Sequence, residues 1–203
     1  MLITDRSRLR GRALEEVASQ AVEGGANVVQ LREKDLPSGE VYNLAVTLRA
    51  VLRGRALLLV NDRIDVAIAS GADGAHLPEH SVPVKWARQI AGDSCLVGRS
   101  VHSVEAALRA EAEGADYLQA GPVFETASHP GRAPAGVELL RTVAEAVRIP
   151  VIAVGGINAQ NLRLALDAGA TGVAVIGAIL DAGDPARAAS ELRRALDDAY
   201  EVA

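Results

Sequence analysis

The groups able to do chemistry in this 203-residue chain gather at a few places: basic residues, four histidines and two glycine-ended apolar runs. Val151-Ile-Ala-Val-Gly-Gly-Ile-Asn158 is answered one helix later by Gly172-Val-Ala-Val-Ile-Gly177. Each run reads as a buried parallel strand that ends in glycine and opens into a helix. That arrangement offers backbone N–H groups at Gly155, Gly156, Ile176 and Gly177 to a phosphate. Other apolar runs end in polar clusters: Thr4-Asp-Arg6, then Gln30, Arg32, Glu33, Lys34 and Asp35, then Asn61-Asp-Arg63. His76, Ser100 and His102 follow, and Thr126, Ser128 and His129 close the set. So many cations, amides and hydroxyls fit an anionic ligand, and the imidazoles of His102 and His129 could move protons near neutral pH.

Bland roles compete for several of these residues. The Gln30-Leu-Arg-Glu-Lys34 segment could be a salt-bridge network, and Asp62 could cap a helix. His80 is expected in a solvated loop and His76 as a hydrogen-bonded interior residue. Cys95 reads as a small core residue, and Trp86 as a helix-packing one.

The elements that must position the site alternate regularly. Short β-branched runs are expected as strands near Leu2-Thr4, Val28-Leu31, Ala56-Val60, Gly74-His76, Leu96-Gly98, Tyr117-Ala120, Val151-Val154 and Gly172-Val175. Amphipathic stretches separate them, with Ser38, Ser103 and Asn158 as helix-start signals and recurrent Gly-Ala steps at helix ends. Eight strand–helix units close on themselves, so the expected fold is α/β, a (β/α)8 TIM barrel in a single domain over residues 1–203. No glycine-rich turn follows the first strand, which argues against an open nucleotide-binding sheet. In a barrel the residues just after each strand converge on one mouth, which collects the polar clusters above into one site.

Composition narrows the ligand. A net charge of −5 and an aromatic content of 2% argue against nucleic acid, which needs basic patches and stacking platforms. The start of the chain lacks the apolar core of a signal peptide, and no segment reaches the ~18 apolar residues of a membrane span. A soluble, cytoplasmic protein is expected, with no membrane or nucleic-acid partner; the lone cysteine excludes an internal disulfide.

Over nearly its whole length the chain resembles the thiamin phosphate synthase superfamily. The resemblance rests on Gln30-Leu-Arg-Glu-Lys-Asp35, Leu59-Val-Asn-Asp-Arg63, Gly71-Ala-Asp-Gly-Ala-His-Leu77, Ser100-Val-His-Ser103, Ala115-Asp-Tyr117, Gly121-Pro-Val-Phe-Glu-Thr126 and Val154-Gly-Gly-Ile157. Two branches share that barrel. One is a synthase, joining hydroxymethylpyrimidine pyrophosphate to a thiazole phosphate; the other is a TenI-type thiazole tautomerase. The resemblance implies that Gln30, Arg32 and Lys34 hold a pyrophosphate in the synthase, assisted by Asn61, while Asp62 binds Mg²⁺ with a second carboxylate. Family spacing puts Ser81 at that second position, and a neutral hydroxyl is a poor ligand for a hard cation. The synthase's lysine after the sixth strand is His129 here.

These departures favour the tautomerase branch. Its substrate would be a small phosphorylated thiazole, aromatised by His102 or His129 with no cofactor. The phosphate would sit on Gly155, Gly156, Ile176 and Gly177, with Ser100, Thr126 and Ser128 also at the rim. In that branch a catalytic histidine can occupy the position of Pro122, so the role would have moved. The alternatives are a synthase in which Asp62 and Glu79 share Mg²⁺, and a non-catalytic binder of thiazole phosphate. Homologous barrels commonly pair, so a homodimer is expected.

Overall fold

The computed structural model describes residues 1–126 and 133–201. Eight parallel strands pair in sequence order: β1 (Leu2–Ile3), β2 (Val28–Leu31), β3 (Leu57–Asn61), β4 (Gly74–Leu77), β5 (Leu96–Val101), β6 (Tyr117–Ala120), β7 (Val151–Val154) and β8 (Gly172–Ala174). Val175, expected inside the last strand, instead bridges Leu2: Ile3 N–H donates to Val175 O at 2.9 Å, and Val175 N–H to Met1 O at 3.0 Å. These bonds join the first strand to the last and close a (β/α)8 TIM barrel.

The helices form where apolar residues recur at helical spacing. In α1 (Leu14–Glu23) the buried face is Leu14, Val17, Ala18, Ala21 and Val22, the spacing of a one-faced amphipathic helix. Leu2, Leu31, Leu58 and Leu118 are fully buried along the strands, each contributing about 2 kcal/mol relative to exposure. Ser103 caps α5 (Val104–Ala112) by accepting from Ala106 N–H at 3.1 Å. Two other expected caps act differently. Ser38 is the first residue of α2 (Ser38–Leu52), behind Pro37, and Asn158 closes a turn before α7 (Leu162–Asp167). Gly71 ends α3 (Ile64–Ser70) with φ +67°, a conformation that disfavours a Cβ. Cys95 is buried as expected, whereas Trp86 on α4 (Val84–Ala91) is half exposed, with Lys85 Nζ 5.3 Å from its ring centre.

Inward-facing polar residues interrupt the core near the carboxyl ends of the strands. Gln30, His76 and Gln119 are each almost fully buried inside the barrel. Gly98 makes room for the Tyr117 ring beside His76: a Cβ there would lie 2.1 Å from Cζ of Tyr117, so the missing side chain is the space that ring occupies. Among the described residues no helix is long and apolar enough to cross a membrane.

Candidate active site

Two cavities open at the carboxyl ends of the strands and share Val154, Gly155 and Ile176. The first, about 260 Å³, takes in Arg32, Lys34, Asn61, Glu79, Ser100 and His102. The second, about 350 Å³, is walled by backbone at Gly155, Gly156 and Gly177, with Thr126, Arg8 and Asp181 at its edge. The barrel mouth is thus one elongated site with two chemically different ends.

At the first end the Gln30–Asp35 segment serves structure and site together. Glu33 is buried and ties β1 to β2. It accepts from Thr4 Oγ1 at 2.6 Å and from Arg6 N–H at 3.1 Å, while Arg6 Nη2 reaches Asp35 at 2.9 Å. Burial raises the Glu33 pKa, opposed by these hydrogen bonds. Arg32 and Lys34 turn the other way, into the cavity. Neither forms an ion pair among the described residues. The nearby Arg32 guanidinium, then partial burial, hold the Lys34 ammonium below its usual range, while Asp62 works in the opposite sense. Two adjacent cations that no carboxylate pairs directly, with only the Asp62 charge nearby to offset them, are an electrostatic cost that an anionic ligand relieves.

Asp62 does not cap α3: among the described residues its carboxylate forms no hydrogen bond or ion pair, and Arg63 stands at the helix entrance without a side-chain cap. Its φ of +65° is uncommon for a residue with a side chain and is fixed by Asp62 N–H donating to His76 O at 2.8 Å. Across the mouth, Arg99 grips the loop after β4 through the carbonyls of Glu79 at 2.5 Å and Val82 at 2.7 Å. This holds the Glu79 carboxylate 3.6 Å from His102 Nε2, while His102 Nδ1 donates to Gly121 O. Pro122, after a cis peptide bond, lines the same cavity and brings no proton-transferring group. No cluster of three or more potential metal ligands exists among the described residues. Ser128 and His129 lie outside the described residues.

His76 is an interior residue, as expected. Its Nδ1 lies 3.0 Å from Tyr117 Oη and its Nε2 2.8 Å from Ser100 Oγ. Burial, then the charge of Arg99, lower its pKa from 6.5 to about 3. Between those values the unfolded chain binds a proton that the folded one refuses, so stability must fall as pH falls through that window. From pH 6 to pH 5 the wild type is expected to lose about 1 kcal/mol more than His76→Gln. Urea unfolding at the two pH values measures this, and equal losses would contradict the assignment.

Residues that sequence reasoning passed over also belong to the site. Gln119 joins Gln30 in the barrel interior, its Nε2 donating to Gln30 Oε1 at 2.6 Å. Arg8, in the 3-10 turn after β1, reaches the glycine-walled cavity and pairs with Asp181 at 2.7 Å. A polar residue within the apolar run Tyr117-Leu-Gln-Ala was the available signal for Gln119. Arg8 lay two residues beyond the cluster after the first strand.

Comparison with known proteins gives one direction. The family model described as Thiamine monophosphate synthase matches residues 1–179. A thiamine-phosphate synthase of Methanoculleus marisnigri is 46% identical over 194 residues, 95% of this chain and 92% of that protein. Another, from Syntrophomonas wolfei, is 44% identical over 195 residues, 95% of this chain and 93% of that protein. The solved thiamine phosphate pyrophosphorylase from Pyrococcus furiosus matches with a TM-score of 0.88 at 43% identity, over 98% of this chain and 95% of that one. A 3-hexulose-6-phosphate synthase, at 22% identity and a TM-score of 0.72, shares the fold. These relatives favour the synthase branch over the tautomerase branch that Ser81 and His129 had pointed to. The chain belongs to the thiamine monophosphate synthase family.

Proposed function

We propose that this chain is a thiamine-phosphate synthase, coupling hydroxymethylpyrimidine pyrophosphate to a thiazole phosphate. The carrying observation is the two-ended mouth, with Arg32 and Lys34, neither in an ion pair among the described residues, at one end and the Gly155–Gly156/Gly177 wall at the other. Each substrate brings one anionic group, and the shared wall at Val154, Gly155 and Ile176 is where their rings would meet. The thiazole nitrogen lone pair forms a C–N bond to the exocyclic methylene of the pyrimidine. The C–O bond to pyrophosphate breaks, and its electron pair leaves with the pyrophosphate. Arg32 and Lys34 stabilise the charge gathering on that leaving group, a task that fixed cations perform without reorganisation. Gln30 and Asn61 hold it from the interior side, and Arg8 faces the thiazole phosphate together with Thr126.

The exposed, unpaired carboxylate of Asp62 fits a divalent cation, because Mg²⁺ needs only one or two protein carboxylates beside phosphate oxygens and water. Asp62, with Glu79, would hold Mg²⁺, which supplies further neutralisation of the pyrophosphate. Ser81 therefore weakens the synthase reading less than its lost carboxylate implied. The tautomerase reading lacks an acid or base at Pro122, which lines the cavity in that place.

Incubation with both half-substrates and Mg²⁺ is expected to yield thiamin phosphate and pyrophosphate in equal amounts by mass spectrometry, with chelation abolishing turnover. Failure to form the product, with conversion of the thiazole tautomer faster than in buffer, would overturn the proposal and restore the tautomerase.

A further inference from the structure

We propose that Tyr117 and His76 are positioning residues that fix Ser100 as a hydrogen-bond donor into the cavity, at the end where Arg32 and Lys34 stand. The polarity follows from donor accounting. Tyr117 Oη is buried, and among the described residues its one hydrogen-bond partner is His76 Nδ1. Leaving a buried hydroxyl proton without an acceptor costs about 1–3 kcal/mol, so Tyr117 donates and Nδ1 accepts. A neutral imidazole carries one N–H, which must then be on Nε2, donating to Ser100 Oγ at 2.8 Å. The Ser100 oxygen receives that bond, and its own proton is left for the cavity it lines. Burial disfavours any charge on this relay, raising the Tyr117 pKa as well as lowering that of His76.

A second relay runs in the same sense. Gln119 Nε2 donates to Gln30 Oε1 at 2.6 Å, and Gln30 Nε2 donates to Asn61 Oδ1 at 3.1 Å. The acceptor of Asn61 is thereby used, and its amide N–H groups face the same cavity. Two relays that both start on β6 thus end on β5 and β3 in donors beside two cations. That convergence matches an anion rich in acceptors and supplies specificity that charge alone lacks. The identification of this anion as the pyrophosphate of the substrate rests on the synthase reading, whereas the relay polarity does not.

The test has two arms on the full-length protein. Long-range ¹H–¹⁵N correlation of histidine-labelled protein, with His76 assigned through His76→Gln, is expected to show a neutral Nε2–H tautomer. An Nδ1–H tautomer would overturn the proposal. In the second arm, calorimetry with inorganic pyrophosphate and Mg²⁺ is expected to show about tenfold weaker binding for Ser100→Ala and for Tyr117→Phe. In the Ser100→Ala background, Tyr117→Phe is expected to add nothing further. His76→Gln, whose amide can still donate to Ser100, is expected to stay close to wild type, while His76→Leu matches Ser100→Ala. Equal losses from Tyr117→Phe in both backgrounds would mark it as merely structural and overturn the relay. A wild type with the Nε2–H tautomer that neither binds pyrophosphate nor makes product would refute the synthase reading and the pyrophosphate assignment together, leaving the relay polarity standing.

Discussion

Replacing both Arg32 and Lys34 with alanine is expected to lower kcat/KM for the pyrophosphate-bearing substrate by about 10³-fold, while affinity for the thiazole phosphate changes by less than about twofold. Each cation supplies a charge-assisted hydrogen bond worth roughly 1.5–3 kcal/mol. Two such bonds to one leaving group put the combined loss near a thousandfold. Arg32→Ala alone is expected to bring the Lys34 pKa back toward its ordinary value, because the Arg32 charge is the largest cause of its depression. Folding should be barely affected, since neither side chain is paired or deeply buried. Steady-state kinetics with each substrate varied in turn separates the two ends of the site. A comparable rise in KM for both substrates would show that Arg32 and Lys34 shape the whole mouth and do not serve the pyrophosphate in particular.

The barrel was legible in the sequence because its strands are short, apolar and regularly spaced, and the register agrees with most of the expected runs. The errors fall at strand ends that carry the site. β5 was expected to stop at Gly98, where the apolar run ends, yet its backbone pairs onward, Ser100 with Gln119 and Val101 with Ala120. β3 likewise runs through Asn61, which pairs with His76. Inward polar residues break the hydrophobic pattern while the ladder continues, so the positions that line the candidate site are those at which periodicity misleads.

The glycine-ended strands and the Gln30–Asp35 cluster were visible because each is contiguous in the chain. The Tyr117–His76–Ser100 and Gln119–Gln30–Asn61 relays were not, because each joins three strands whose relative phase only closure of the barrel sets. Arg8 and Asp181 stand 173 positions apart in sequence and meet because β1 and β8 are neighbours. The branch was not legible for another reason. Ser81 stands where a second metal carboxylate is expected, but a cation that binds largely through phosphate oxygens and water tolerates that loss.

Gly156→Ala is expected to produce the reciprocal defect at the other end of the site. Gly156 has φ +67°, where a side chain costs about 1–2 kcal/mol. Its Cβ would lie 2.4 Å from Glu125 O and 2.7 Å from Phe124 Cβ. The Glu125 atom is backbone, so no rotamer change relieves the contact. The same segment is stitched to β7 by Val123 N–H to Val154 O at 2.9 Å and Phe124 N–H to Gly155 O at 3.0 Å. The strain must therefore displace either Thr126 or the N–H groups that would face the phosphate. A stability loss of about 2–4 kcal/mol is expected, combining overpacking with the dihedral cost. At a temperature where the variant stays folded, KM for the thiazole phosphate is expected to rise about a hundredfold, the loss of two phosphate hydrogen bonds. Binding of inorganic pyrophosphate is expected to remain within about twofold of wild type. Opposite substrate selectivities in Gly156→Ala and the Arg32/Lys34 variants would establish two independent anion subsites in one mouth. Parallel losses at both would instead mean that a single anion spans the two cavities, and a two-substrate coupling reaction could not use this geometry.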